Sequence, residues 1–431
     1  MLSAFGMAFK TPELRKKIFF TLSIMALFRF GSVVPTPGVS YSNVQQCLEN
    51  VETGGLFGLI NLFSGGALIQ LSVFALGIMP YITASIIVQL LTVVISRFET
   101  LKKEGQSGTA KLTQYTRYLT IGLAILQSTG LIAVARTPGR LLAGCDLAII
   151  PDTSWQRIAT MIFVMTAGTS VVMWLGELIT DRGVGNGMSI LIFTSIAASF
   201  PSQLWSIRLQ KGLFAFIFVM AVGILVVAAV VFVEQAQRRI PVQYAKRMVG
   251  RQAYGGTSTY IPIKVNQAGV IPVIFASSLL YIPSLIVNFT GSESAWAVWI
   301  SRNFVTGDHP IYVATYALLI IFFTYFYVAI TFNPIEVADN MKQYGGFVPG
   351  IRAGKPTSDY LAYVLSRITA PGSLYLALVA IIPIAALILF GATQNFPFGG
   401  TAILIVVGVG LDTAKQIESQ LQQRSYEGFL R

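Results

Sequence analysis

The sequence predicts an all-α polytopic membrane protein with ten transmembrane helices in two inverted, pseudosymmetric five-helix halves. Three observations carry that prediction. Of the 431 residues, 54% are hydrophobic and 11% charged, against about 25% charged in a soluble globular chain. Ten apolar segments have the length of membrane spans or fall a little short of it. A nine-residue pattern in the second segment recurs in the seventh. The composition excludes a soluble enzyme, a disordered chain and a nucleic-acid-binding domain. A membrane β-barrel is excluded as well, because its strands alternate and give no long apolar runs.

A span needs roughly 20 apolar residues. The candidates run over about 18–34, 70–95, 116–135, 158–176, 186–200, 212–233, 269–289, 311–332, 370–390 and 397–413. The fifth and tenth are short and flanked by glycine. The first run reaches Pro35 without a small-residue cleavage site, so no removable leader is expected. Before the second span, residues 55–66 read GLFGLINLFSGG. That stretch is too short to cross. It is expected either to lie as an interfacial helix on the outer face or to fold back as a half-helix that closes a funnel. Backbone stops at such depth only where it is buried in protein or lines a cavity.

Lys and Arg set orientation in membrane proteins, and the net charge of +12 is read that way. With the N-terminus inside, 23 of the 30 Lys and Arg residues fall in inside segments and 6 in outside ones; Arg29 lies within a span. Both termini are therefore expected to face the cytoplasm. Two inside loops, 234–268 and 333–369, are long and basic. The first carries Arg238, Arg239, Lys246, Arg247, Arg251 and Lys264. Its composition around Tyr254–Val265 suggests a hairpin. The second sets Arg352 and Lys355 among Gly345, Gly346, Pro349, Gly350, Gly354 and Pro356, which predicts a tight turn with cations at its tip. Loops of this length suit docking of a large cytosolic partner.

An odd number of spans per repeat makes the halves inverted. Residues 77–85 read GIMPYITAS and residues 269–277 read GVIPVIFAS. Gly77, Pro80, Ile82, Ala84 and Ser85 recur as Gly269, Pro272, Ile274, Ala276 and Ser277. A weaker match joins the fifth and tenth spans: Gly187, Ile190, Leu191 and Ile192 face Gly400, Ile403, Leu404 and Ile405. Transport sites lie near the midplane at such repeat interfaces. No ionisable residue occupies the interior of these four segments, whereas ion-coupled carriers keep carboxylates there. The matched positions are instead Ile82, Ile192, Ile274 and Ile405, with Ile78 and Met188 a turn away from two of them. That pattern predicts an apolar ring that gates by excluding water. Gln89 and Gln127 are candidates for buried interhelical amides. Arg29 is expected to snorkel or to find a polar partner.

Catalytic chemistry has little to work with. The single histidine, His309, falls in an outer loop, and Cys47 and Cys145 lack metal-ligand spacing. The two cysteines are expected to be unpaired, a disulfide requiring that both face an oxidising side. There is no GxxxxGK[ST] phosphate loop. No enzyme activity, metal or cofactor is expected. The alternative function weighed here is a secondary transporter of a small solute, which predicts a polar midplane cluster.

Several stretches together resemble one family: FSGGALIQLSVFALGIMPYITASIIVQLLTVV (63–94), KKEGQSGTAKLTQYTRY (102–118), MWLGELITDRGVGNGMSILIF (173–193), QRRIPVQYAKRMVGRQ (237–252), STYIPIKVNQAGVIPVIFASS (258–278) and FNPIEVADNMKQYGGFVPGIRAGKPT (332–357). They look like the SecY and translocon α-subunit family of protein-conducting channels, over roughly residues 12–428. The resemblance implies a clamshell of residues 1–203 and 204–431, hinged between spans five and six. It implies a pore ring of Ile78, Ile82, Met188, Ile192, Ile274 and Ile405, with methionine at 188 where isoleucine is commoner. It implies a plug at about 56–66, including Leu56, Phe57, Leu59, Ile60, Asn61, Leu62 and Phe63. A lateral gate would lie between spans two and seven, at Ser85, Gln89, Gln127, Ser277 and Ser278. Arg247, Arg251, Arg352 and Lys355 would dock the ribosome or the SecA motor ATPase. SecE and SecG would be the small partner subunits. Signal peptides and translocating polypeptides would pass through the pore or sideways into membrane lipid, with ribosomal RNA the only conceivable nucleic-acid contact. The bacterial cytoplasmic membrane is the implied location.

Overall fold

The computed structural model describes residues 9–50, 64–68, 70–136, 147–244, 247–249, 252–254, 258–290, 295–305, 309–390 and 400–427. Each of the ten sequence-derived spans falls on a helix. The N-terminal half contains α1 (Pro12–Val33), the short α2 (Tyr41–Asn50), α3 (Met79–Val94), α4 (Ser96–Lys103), α5 (Gln106–Ala135) and α6 (Trp155–Arg182). A helical run, α7 (Gly187–Gln235), then carries both the fifth and the sixth span; it breaks at Gly212, whose φ of 84° and ψ of 178° are not helical. The C-terminal half follows with α8 (Ile271–Thr290), α9 (Ala295–Ile300), α10 (Pro310–Thr331), α11 (Pro334–Gln343), α12 (Lys355–Phe390) and α13 (Gly400–Glu427).

Local chemistry fixes the helix starts. Pro12 and Pro310 occupy the first turns of α1 and α10, where the missing N–H costs nothing. Asn186 caps α7, its side-chain oxygen accepting from the backbone N–H of Met188 and Ser189. Asn333 caps α11 in the same way. His309 Nδ1 accepts from Ile311 N at 3.3 Å, so the lone histidine caps the N-terminus of α10.

Among the described residues, five helices are long and apolar enough to cross a bilayer by themselves, and a bent pair brings the number to six. The bent pair is α3 and α4, which meet at 101°. The second span is shorter than its apolar run, because α3 begins only at Met79. Residues 64–68 and 70–78 before it lie mostly in turns instead, with Leu71 at a φ of 46°. Backbone bonds from Thr36 N to Leu71 O and from Val73 N to Val34 O tie these turns to the end of α1.

The loop 234–268 does hold paired strands, more of them than its composition suggested. β1 (Gln237–Tyr244) runs antiparallel to β4 (Ser258–Lys264), from Gln237↔Lys264 to Gln243↔Ser258, and β2 (Arg247–Val249) pairs with β3 (Gln252–Tyr254). β5 (Gly346–Phe347), from the loop 333–369, adds to the far edge of β1. The two loops thus share one sheet of order β4-β1-β5. Ile240, Val242 and Ile263 bury its inner face against Val328, Met341, Leu361 and Val364. Most of the loop 333–369 is helical rather than a free turn, since α11 and the start of α12 lie in it. The turn survives between them, with Gly350 and Gly354 at positive φ.

The cysteine expectation is overturned. Cys47 is disulfide-bonded and fully buried, and the sequence holds one other cysteine, Cys145, outside the described residues. Sequence separation hid the pairing. α2 packs beside residues 147–150, with Asn43 Nδ2 donating to Ala148 O at 2.8 Å and Ser40 N to Ile149 O at 3.0 Å.

Candidate functional site

The repeat seen in the sequence is also a repeat of backbone geometry. Gly77 has a φ of 54° and Gly269 a φ of 61°, a left-handed conformation that a side chain would resist. Two residues after each glycine a helix begins, α3 at Met79 and α8 at Ile271, with Pro80 and Pro272 in its first turn. The weaker match behaves alike: Gly187 opens α7 and Gly400 opens α13. Four helices therefore start at equivalent points of the pattern. Ile82 and Ile274 are the fourth residues of α3 and α8, Ile192 and Ile405 the sixth of α7 and α13, and Ile78 immediately precedes α3.

These residues meet. Ile78, Ile192, Ile274 and Ile405 are buried in one apolar cluster, and Ile82 and Met188 pack against it half-buried. Ile78 is 2% exposed, Ile192 3%, Ile274 6% and Ile405 0%. In this conformation four of the six side chains are almost wholly enclosed. Phe28 and Phe74 back the cluster, stacked with centroids 6.0 Å apart. The residues it brings together are hydrophobic. It can exclude water and ions and yield to an extended chain, and it offers no group for acid–base or nucleophilic chemistry.

The gate candidates lie where α8 packs on α3 and α5. Ser85, Ser277, Ser278 and Gln127 are half-buried. Ser277 Oγ donates to Ile274 O at 2.9 Å, while the buried Ser278 Oγ has no partner. Gln89 is exposed, which corrects the expectation of a buried amide. The buried face of α3 runs through Pro80, Ala84, Val88 and Thr92, and Gln89 is turned about 100° from that stripe. On the other side of α8, Phe275 packs edge-on against Phe323 and Tyr327 of α10.

Sequence reasoning missed one ion pair beside this site. Arg117 of α5 grips Glu177 of α6 with two bonds, Nε to Oε1 at 2.9 Å and Nη2 to Oε2 at 2.8 Å. Both residues are at span ends, and a separation of sixty in the chain gave no sign of the pairing.

Of the docking candidates, Arg352 and Lys355 are exposed around the turn that Thr357 braces, its Oγ1 donating to Arg352 O at 2.8 Å. Arg247 lies in β2, within the loop 234–268 that also supplies β1 and β4. Arg251 falls outside the described residues, as do Leu56, Phe57, Leu59, Ile60, Asn61, Leu62 and Phe63.

A helical bundle with repeat-related half-spans around an apolar cluster has the architecture of a membrane channel. The SecY family profile matches residues 72–414. A protein translocase subunit SecY of Streptomyces galbus is 68% identical, with all of both chains covered. That of Mycobacterium bovis is 59% identical over the same full extent. The fold is similar to a solved protein-conducting channel, with a TM-score of 0.65, 19% identity and coverage of 94% of this chain and 91% of that one. It is also similar to Sec61 in a canine ribosome–channel complex, with a TM-score of 0.60, 17% identity and coverage of 94% and 91%. The chain belongs to the SecY family.

Proposed function

We propose that this chain is the pore-forming subunit of a bacterial protein translocase. It passes unfolded secretory polypeptides across the cytoplasmic membrane and releases membrane helices sideways between α3 and α8. The observation that carries this reading is the convergence of six apolar residues from four chain segments at the starts of repeat-related helices. The ring of Ile78, Ile82, Met188, Ile192, Ile274 and Ile405 closes loosely around an extended chain and resists ion leakage. Residues 56–66 plug it on the outer side. The halves 1–203 and 204–431 hinge near the break at Gly212.

A nascent membrane helix leaves because its apolar side chains prefer lipid, by about 25 cal/mol per Å2 of buried apolar area. The chain binds no cofactor and performs no catalysis; the driving force comes from partners. The exposed Arg352 and Lys355 and the strands carrying Arg247 dock the ribosome or SecA, while SecE and SecG complete the complex. Both termini face the cytoplasm. The charge asymmetry supports that orientation, and so does the disulfide at Cys47, since such bonds persist on the oxidising side.

The test is site-specific crosslinking from a photoreactive residue at position 82 or 274 to a stalled secretory chain in native membranes. Crosslinks along the length of the translocating chain are expected. Crosslinks to the signal sequence alone would mean a lateral docking site without a pore. None, from correctly inserted protein, would favour a small-solute transporter.

A further inference from the structure

The pore reading leaves one charge inside a span without a task. Arg29 lies in α1, four residues from its end. An ionisable group at such a place is costly to keep unless it is partnered and used. Arg29 Nη1 donates to the carbonyl oxygen of Gly65 at 2.8 Å. Gly65 has a φ of +65°, and a Cβ built on it would stand 2.7 Å from Arg29 Nη1 and 3.1 Å from Ser195 Cα. The backbone at Gly65 is therefore wedged between the guanidinium on α1 and the main chain of α7. Ser195 is about one helical turn beyond Ile192, so the wedge adjoins the constriction.

The turn that holds Gly65 is otherwise well fixed. Ser64 Oγ accepts from Leu68 N at 3.1 Å, and Ser64, Ala67, Leu68 and Leu71 are each at most 3% exposed. Gly65 presents only a carbonyl, so the contact with Arg29 requires the absence of a side chain. A guanidinium suits the task. It stays charged, is more weakly hydrated than an ammonium and carries its donors in a rigid fork. Its bond to a neutral carbonyl is charge-assisted and is stronger in apolar surroundings than in water.

We propose that Arg29 is a positioning residue that pins the Ser64–Gly66 turn against α7 and so holds the resting pore shut. The proposal rests on the pore reading above. Its test is the resting ion conductance of the purified translocase complex in planar bilayers, for five variants. The Ile82→Gly/Ile192→Gly double variant is the positive control for the pore itself. Arg29→Gln and Gly65→Ala should each raise conductance several-fold, the first by removing the donor and the second by displacing it. Arg29→Lys, which keeps a charged donor, should lie nearer the parent. Gly105→Ala probes backbone strain alone, away from the plug, since Gly105 has a φ of +73° with no atom within 4 Å of a built Cβ; it should leave conductance at the parent level.

Parent-level conductance in Arg29→Gln and Gly65→Ala, with the isoleucine control raised, would overturn the pin and leave the pore standing. A rise in Gly105→Ala equal to that in Gly65→Ala would also overturn it. An unchanged isoleucine control would overturn the pore and the pin together. Should Arg29→Gln fail to assemble, the comparison of Gly65→Ala with Gly105→Ala decides.

Discussion

At the scale of the residue, this protein works by leaving chemistry out. In the proposed pore the six ring side chains carry no titratable group, and their role is to be displaced by a chain and to close again. Met188 stands out among the isoleucines. It has three rotatable bonds and a polarizable sulfur, which suits a site that must fit many passing side chains. The exposed cations act differently, by being seen from the cytoplasm. Arg352 makes no described side-chain ion pair and sits on a braced turn. Reversing its charge with Arg352→Glu should abolish SecA-driven export while the complex still assembles. ATP-dependent import of a preprotein into inverted vesicles measures this, and normal import would remove Arg352 from the docking surface.

At the scale of the element, the starts of helices matter most. Four begin at equivalent points of the repeat, and what holds each start also aims the constriction. Asn186 is the clearest case, because its side chain caps the turn that carries Met188. Replacing an Asn cap by Ala costs about 1 kcal/mol. Asn186→Ala should lower the midpoint of thermal unfolding in detergent by a few degrees and raise the resting ion conductance slightly. An Asn186→Ser variant, which keeps a capping oxygen, should recover both. The short α2 is held from its side instead, by the disulfide at Cys47 and by bonds to residues 148 and 149. Peptide mapping without reductant should find no free thiol at Cys47, and Cys47→Ser should increase proteolysis of the outer face in intact cells lacking their wall. A freely alkylated Cys47 would refute the disulfide and weaken the orientation argument.

At the scale of the whole molecule, the cytosolic sheet joins two loops that the chain separates by three helices. Its ladder starts two residues after α7 ends, and Val265 N donates to Ala236 O at 3.0 Å. Asn266 continues the link, donating to the buried Glu234 at 2.6 Å and to Gly269 O at 3.1 Å. A partner docked on either loop therefore pulls on the same structure that begins the gate helix α8.

The class of protein, the ten spans and the pairing of spans two and seven were legible in the residues alone. So was the kinship of the isoleucines that meet in one apolar cluster, since apolar runs and a recurring Gly-x-x-Pro pattern are local signals that a bilayer makes binding. The length of α3, the joining of the two loops through β5, the exposure of Gln89, the disulfide at Cys47 and the ion pair of Arg117 with Glu177 were not legible. Arg29 belongs with these: its place in a span was plain from hydropathy, but its partner was thirty-six residues away. Hydropathy says which segments leave water, because each residue carries its own transfer free energy. Which side chains then meet depends on how helices pack across the chain, and that was decided only by the tertiary structure.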